Sequence, residues 1–489
     1  MPPTQIHLEI PLHLSNLDNE SSLDVLDSPD DAEFWRHGAL PEEIVGRTVR
    51  TTSMPHHFAT GTGSRIYDSL GPLLETTNQE LILVTCFWAK SESLTTLNSI
   101  LMNLSNKGIR QSSKIRVRLC FSSLSLWQKL FHEQSGCGQE YDSRVWKSKL
   151  GLPGPDELMG LDLTVKSIFI LPFSVMHPKF MIIDRKMAVL PSCNISWEDW
   201  FEGYVTFTGA AVTALLRFYC HFWERRHMPV DLLISAQDQE STLLESAYGG
   251  ESGPANAETQ LRQRAGDSSV PIPTFVLPSA HHRNPQFQPF ASFDRVKAPR
   301  TSLNSFVLNI FDKAETSIRI QTPNLTAPPV LSALLKALSR GVNVTILTSE
   351  RLMILEQLVT AGTTTSRCMK KLIKRYKALY SPKKKPLDDE EAAIPARQLG
   401  RLQVCFFSPV GGAKKKGQEQ GEPQQSHLKM TVVDDVVVVL GSGNLDRASW
   451  FTSQELGMAF FDKDLVEHVL ATVDRAMEGR RRVVYTSTG

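Results

Sequence analysis

Five polar side chains occur twice at one spacing. His177-Pro178-Lys179 is followed by four residues and Asp184, then by six residues and Pro191-Ser192-Cys193-Asn194. His427-Leu428-Lys429 is followed by four residues and Asp434, then by six residues and Gly441-Ser442-Gly443-Asn444. Both copies fit the template H-x-K, four residues, D, six residues, (G/P)-S-x-N, and His177 and His427 lie 250 residues apart. A single His-x-Lys pair arises by chance; the whole pattern twice does not. Cleaving a phosphodiester without a metal needs a nucleophile, a proton donor for the leaving alkoxide, and cations for the non-bridging oxygens. Two histidines in opposite protonation states supply the first two. Two lysines supply point charges, which act most strongly in a dry, preorganised site. Ser192, Asn194, Ser442 and Asn444 add neutral donors expected to hold the same oxygens. One copy brings one histidine, so two copies must meet to complete a site.

A histidine used in this way needs its second ring nitrogen fixed by a carboxylate. Each motif has one candidate downstream: Glu202, in Asp199-Trp200-Phe201-Glu202, and Glu455, in Ser453-Gln454-Glu455. They stand at matching points of the repeat, each ahead of a short strand and a helical segment.

The double motif resembles that of the phospholipase D superfamily. The stretch from Gly441 to Glu455 and the helix start Gly209-Ala210-Ala211-Val212 look most like the phospholipase D and cardiolipin synthase branch. The tyrosyl-DNA phosphodiesterase branch lacks the motif aspartate, and both aspartates are present here. The resemblance implies that His177 attacks phosphorus to form a phosphohistidine. His427 then acts as general acid, and later as the base that activates water or an alcohol. Lys179, Lys429, Asn194 and Asn444 would clamp the phosphate, and Asp184 and Asp434 would buttress the motif loops. No metal or cofactor is implied. The implied substrate is a glycerophospholipid, hydrolysed or transferred to an alcohol such as another lipid's head group. A nuclease of the same superfamily is the enzymatic alternative, and an inactive anionic-lipid-binding scaffold is the non-enzymatic one. Pro191 stands where the first motif usually has glycine; proline removes an N–H and fixes φ, which would weaken that half-site if the N–H binds phosphate.

The elements that must position these residues also repeat. Leu81–Phe87 reads as a buried strand, Leu94–Asn106 as a helix ending at Gly108, and Ile115–Phe121 as an alternating strand. In the second half the order recurs: a helix over 302–314, a strand over 317–321, a helix over 329–339 ended by Gly341, and a strand over 342–347. Strand, helix, strand argues for parallel pairing under helices. The expected architecture is α/β: two similar lobes of mixed sheet flanked by helices, related by a pseudo-twofold axis, with one active site between them. The boundaries read as an irregular arm over 1–55, a first lobe over 56–232, a linker over 233–298 and a second lobe over 299–489 carrying a low-complexity insertion at about 381–426. Gly61-Thr62-Gly63-Ser64 lacks the following Lys of a phosphate loop and reads as the turn before a helix over 64–75.

Composition sets limits. The 489 residues carry a net charge of +1, so no global field favours nucleic acid. Seven scattered cysteines without a C-x-x-C pair read as reduced thiols. The acidic N-terminal stretch does not resemble a secretory or mitochondrial leader, and no apolar run reaches the ~20 residues that cross a bilayer. A cytoplasmic protein with at most peripheral membrane contact is expected. Such contact would fall on 367–385, where Met369, Leu372, Ile373, Tyr376, Leu379 and Tyr380 share one helical face and Lys370, Lys371, Lys374, Arg375 and Lys377 lie off it. That pattern fits either a helix resting on an anionic bilayer or a packed helix with a solvated basic face. His56-His57 and His281-His282 lack ligand partners at metal spacing and read as surface or loop residues. Trp197, Trp200 and Trp450 read as packing for the motif loops, with a lipid entrance as the alternative.

Overall fold

The computed structural model describes residues 49–123, 138–170, 174–224, 270–279, 298–379, 399–413 and 422–487. The first lobe runs β1 (Val49–Gly61), α1 (Gly63–Glu75), β2 (Glu80–Val84), α2 (Glu92–Arg110), β3 (Ile115–Phe121), β4 (Leu161–Ser167), β5 (Phe180–Ile183), β6 (Met187–Pro191), β7 (Trp200–Thr208) and α3 (Ala210–Tyr219). The second runs β8 (Ile272–Ser279), α4 (Ser302–Lys313), β9 (Ser317–Thr322), α5 (Pro328–Arg340), β10 (Asn343–Thr348), α6 (Ile354–Ala361), α7 (Thr365–Leu379), β11 (Leu402–Phe407), β12 (Met430–Val433), β13 (Val437–Gly441), α8 (Arg447–Phe451), β14 (Glu455–Phe461), α9 (Lys463–Ala476) and β15 (Arg481–Thr486).

The two sheets have one topology. Strands pair in the order β1-β7-β6-β5-β2-β3-β4 in the first lobe and β8-β14-β13-β12-β9-β10-β11-β15 in the second. The β2-β3-β4 and β9-β10-β11 trios are parallel and the remaining pairs antiparallel, which makes both sheets mixed. The sheets join where Val49–Ser53 of β1 pairs antiparallel with β8.

Alternation along each strand explains why both faces are covered. Leu81 and Leu83 of β2 point into a core shared with α1 and α2, while Ile82 and Val84 point to the other face. In the second lobe Ile318 and Ile320 of β9 pack under α4, α5 and α7. The inner faces of both sheets close on α3 and α9, so one apolar core lies between the lobes. Period-two patterning with apolar residues at both phases is what a doubly covered sheet requires.

Three boundaries differ from the sequence reading. Val49–Gly61, partly assigned to the arm, is β1; Ile272–Ser279, assigned to the linker, is β8, and it is buried along its whole length. The two strands occupy equivalent places and pair with each other. Residues 402–407, assigned to the insertion, are β11, held between β10 and β15. Residues 1–48, most of the linker and most of the insertion, including the lysines at 383–385 and 414–416, lie outside the described residues. Gly108 is not a cap: α2 continues to Arg110, and a Cβ at 108 would stand 2.3 Å from the Gly160 carbonyl oxygen. It is a crossing point of helix and loop. Gly341 does cap its helix, at φ 103.

The basic helix is settled on its apolar side. In α7, Met369, Leu372 and Tyr376 are buried in the second lobe's core, so that face cannot also enter a bilayer. Among the described residues no helix is long and apolar enough to cross a membrane.

Candidate active site

Each motif histidine sits at the end of a loop that leads into a buried strand. His177 precedes β5 and His427 precedes β12, and Lys179 and Lys429 are the last residues before those strands. Both lysines are buried. The paired aspartates fix the far end of each strand. Asp184 accepts from the N–H groups of Asn78, Gln79 and Glu80 at 2.8, 2.7 and 2.8 Å. Asp434 accepts from those of Glu315, Thr316 and Ser317 at 3.0, 2.8 and 2.9 Å. Each carboxylate thus ties the end of the motif strand to the start of the neighbouring β2 or β9, and neither faces the histidines.

The carboxylates cross between the lobes. His177 Nδ1 lies 2.8 Å from Glu455 Oε2, and His427 Nδ1 lies 2.6 Å from Glu202 Oε1. Each histidine is therefore held by the glutamate that follows the other motif. The backbone crosses in the same way: the His177 N–H donates to the Gln454 carbonyl at 3.0 Å, and the His427 N–H to the Phe201 carbonyl at 2.8 Å. Both glutamates lie on strands, Glu202 inside β7 and Glu455 at the start of β14. Neither half contains a complete histidine–carboxylate pair of its own.

The motif serines have a different task from the one the sequence suggested. Ser192 Oγ donates to Glu202, and Ser442 Oγ donates to Glu455 at 2.5 Å. Each oxygen also accepts a backbone N–H, from Gly203 and Leu456, both at 3.0 Å. Each serine hydroxyl thus orients the glutamate of its own half. Asn194 accepts from the Phe87 N–H at 3.2 Å, and Asn444 Nδ2 donates to Asp446 at 3.1 Å.

Burial sets the charge state. It pushes His427 down to about 3 and His177 below the ordinary histidine range, against the pull of the glutamates. It also lowers Lys429 to about 7, against the same glutamates. Burial thus favours the neutral form of both imidazoles. With Nδ1–H donated to a carboxylate, each presents an Nε2 lone pair. Lys429 Nζ donates to the His427 carbonyl at 2.7 Å and lies 2.9 Å from both nitrogens of its ring. A phosphodiester anion adds one negative charge, which favours protonating one imidazole as it binds.

Pro191 and Gly441 stand at the equivalent ends of β6 and β13. In the second lobe Gly441 is required, because a Cβ there would lie 2.2 Å from the Leu456 carbonyl oxygen. In the first lobe Pro191 is itself buried and pairs with Tyr204, where Gly441 pairs with Gly457. Trp200 lies against His427 at 4.6 Å between ring centroids, the two planes tilted by 44°; Trp450 is core, and Trp197 is exposed. His56 and His57 lie in β1, not in a loop, with His57 buried and His56 bonded to Thr208 at 2.8 Å. His281 and His282 are outside the described residues. Sequence reasoning missed Gln454, whose backbone N–H reaches the Val175 carbonyl at 3.0 Å while its carbonyl holds His177. A backbone role leaves no mark on residue type.

Residues 307–477 match the family model of the cardiolipin synthase, phospholipase D-like domain. Among solved structures, the fold is shared with the phosphatidylserine synthase of Haemophilus influenzae Rd KW20, at 13% identity and TM-score 0.50, over 88% of this chain and 89% of that one. A phospholipase D family member, Nuc from Salmonella typhimurium, aligns at 22% identity and TM-score 0.25, over 38% of this chain and 91% of that one. No curated protein matches the sequence.

Proposed function

We propose that this chain, a member of the phospholipase D superfamily, cleaves or transfers the phosphatidyl group of glycerophospholipids through a phosphohistidine. The observation that carries the reading is the crossed pair of histidine–glutamate contacts, which leaves two Nε2 atoms available beside two buried lysines. His177 Nε2 attacks phosphorus, and a P–N bond forms as the P–O bond to the head-group alcohol breaks. His427, protonated with the bound anion, gives its Nε2 proton to the leaving oxygen. It then takes a proton from water or an acceptor alcohol, whose oxygen attacks phosphorus and releases His177. Lys179 and Lys429 hold the non-bridging oxygens, and the negative charge they meet is greatest in the transition state. The cardiolipin synthase-like family model supports a phospholipid over a nucleic acid.

The test is trapping. Wild type, His177→Ala and His427→Ala are incubated with acyl-labelled phospholipid in EDTA, quenched, and weighed intact. A phosphatidyl adduct on wild type or His427→Ala, absent from His177→Ala, supports both the reaction and the assignment. No adduct and no product sinks the phospholipid reading. Cleavage of single- or double-stranded nucleic acid by the same samples would put the nuclease in its place, and inertness on both would leave the scaffold.

A further inference from the structure

A short helix on the second lobe reverses the usual arrangement of faces. In α6, Ile354, Leu355, Leu358 and Val359 fall on one side and all are exposed, Leu355 by 80%; Met353 before them is exposed as well. The buried residues of α6 are Gln357 and Ala361. Gln357 fixes the helix through Asn324 at 2.9 Å, the Leu352 carbonyl at 2.6 Å and the Thr365 N–H at 2.6 Å. The helix is thus anchored by a polar residue while its apolar side faces solvent. Contiguous exposed apolar surface of this kind marks an interaction site.

Next to it, α7 buries its apolar side and leaves Arg367, Lys370, Lys371, Lys374 and Arg375 exposed. A pocket of about 210 Å³ is lined by the cations Arg367, Lys371, Arg375 and Arg447, with Ala361 of α6 and Leu372 of α7 among its apolar residues. Arg447 also stacks on Phe451, its guanidinium carbon 4.4 Å from the ring centre.

We propose that α6 and the basic side of α7 form a docking site for an anionic phospholipid bilayer, with α6 entering the acyl boundary and a lipid phosphate seated in the basic pocket. Apolar residues flanked by exposed cations are complementary to an anionic interface, where each basic residue adds to attraction and the apolar area adds to depth. The site differs from the one expected from sequence: the inserting element is α6, and α7 contributes only its charges. Because α6 packs on α8, which begins three residues beyond Asn444, docking would bring the second motif's loop toward the lipid surface. The inference rests on a phospholipid as substrate, but its test needs no turnover.

The full-length His177→Ala protein is sedimented with vesicles of phosphatidylcholine alone and with vesicles carrying phosphatidylglycerol. It is compared with two pairs built on the same background, Leu355→Asp with Val359→Asp and Lys371→Glu with Arg375→Glu. Thermal unfolding of each pair checks that the fold is kept. The expected result is strong preference for the anionic vesicles. The aspartate pair should weaken anionic-vesicle binding about tenfold or more, and the glutamate pair should abolish the preference. Vesicle binding that neither pair alters, or no binding to anionic vesicles, overturns the proposal. Thermal stabilisation by inorganic phosphate, lost in the glutamate pair and accompanied by no vesicle binding, would assign the pocket to free phosphate and also overturn it. So would binding that the glutamate pair loses only on nucleic acid. Failure to trap an adduct, with vesicle binding intact, would count against the chemistry and leave the docking site standing.

Discussion

The two half-sites share their donors and differ in their surroundings. The His177 side chain keeps 14% of its surface exposed, and that of His427 keeps 4%. Trp200 covers His427, and at the equivalent place two residues before the other glutamate stands Ser453. Lys179 Nζ bonds the His177 carbonyl at 2.9 Å, whereas Lys429 Nζ reaches both the His427 carbonyl at 2.7 Å and its ring nitrogens at 2.9 Å. The strand carrying Ser426 runs parallel to Trp200 and Phe201, while its counterpart is a single bridge from Met176 to Gln454. Duplication supplied identical chemistry twice; differential burial makes it unequal. A more open imidazole suits attack on a bulky phosphodiester, while burial and the neighbouring ammonium both resist protonation of the closed one.

The largest effect should come from the histidines, and the leaving group can tell them apart. Either His→Ala change should lower turnover of a natural ester by about 10⁴-fold or more. On a substrate with a nitrophenolate leaving group, which needs no proton, His427→Ala should recover about 10²-fold of that loss while His177→Ala recovers nothing. Recovery in His177→Ala instead would reverse the roles.

The crossing of the glutamates gives the next effect. Glu455→Gln should reproduce the His177 defect, slowing adduct formation by about 10²- to 10³-fold, because it loosens the imidazole that attacks. Glu202→Gln should leave adduct formation on the activated substrate nearly intact and slow its breakdown. In double mutants Glu455→Gln should add little to His177→Ala. If instead Glu455 couples to His427, the crossed contacts do not operate in catalysis.

This crossing was invisible in the sequence for a physical reason. Spacing placed Glu202 and Glu455 at equivalent points of a repeat, but a repeat cannot say whether partners pair within a copy or between copies. The fold class, the helices and the motif strands were legible because period-two and helical patterning, with Gly341 as a cap, report on local structure. β1 and β8 were not. Pro55 interrupts one and Pro273 and Pro278 the other, and prolines demote a strand reading. Their place is fixed by pairing with β7, β14 and each other. The serine–glutamate bonds were not legible either, because hydroxyl chemistry fits a phosphate and a carboxylate equally well and only position brings Ser192 to Glu202 and Ser442 to Glu455.

Titration sharpens the difference between the lysines. In the free enzyme Lys429 is lowered to about 7 by burial, so kcat/KM should fall as pH rises through about 7 and this lysine loses its proton. His177, lowered below the usual range by burial, should stay neutral on the acid side and keep kcat/KM from falling near pH 6.5. Lys429→Arg stays charged, and should move the alkaline limb up by more than a unit at a cost of about tenfold at the optimum. Lys179→Arg should leave the limb where it is. A limb that follows Lys179 would place the titrating group in the other half-site.

The smallest effect belongs to the residues at which the two halves are most alike. Asp184 and Asp434 lie at φ 49 and φ 53, a left-handed conformation that asparagine also adopts, so Asp→Asn changes the charge without straining the backbone. Each carboxylate gathers three backbone N–H groups, and an amide can accept fewer on one oxygen. The expected loss is about 1–3 kcal/mol of stability for either change, with at most a few-fold effect on turnover, read by denaturant unfolding and initial rates. For Asp434, burial alone would raise the carboxyl, but the N–H groups of Ser317, Glu315 and Thr316 hold it below the usual aspartate range. Its contribution is therefore fully present above the unfolded aspartate pKa of about 3.9 and is lost as pH falls through the lower folded value. The difference between wild type and Asp434→Asn should narrow in that acid range. A loss of turnover as deep as that of the histidine variants would mean that the aspartate acts in the site, and the distinction between strand anchors and reacting groups would fail.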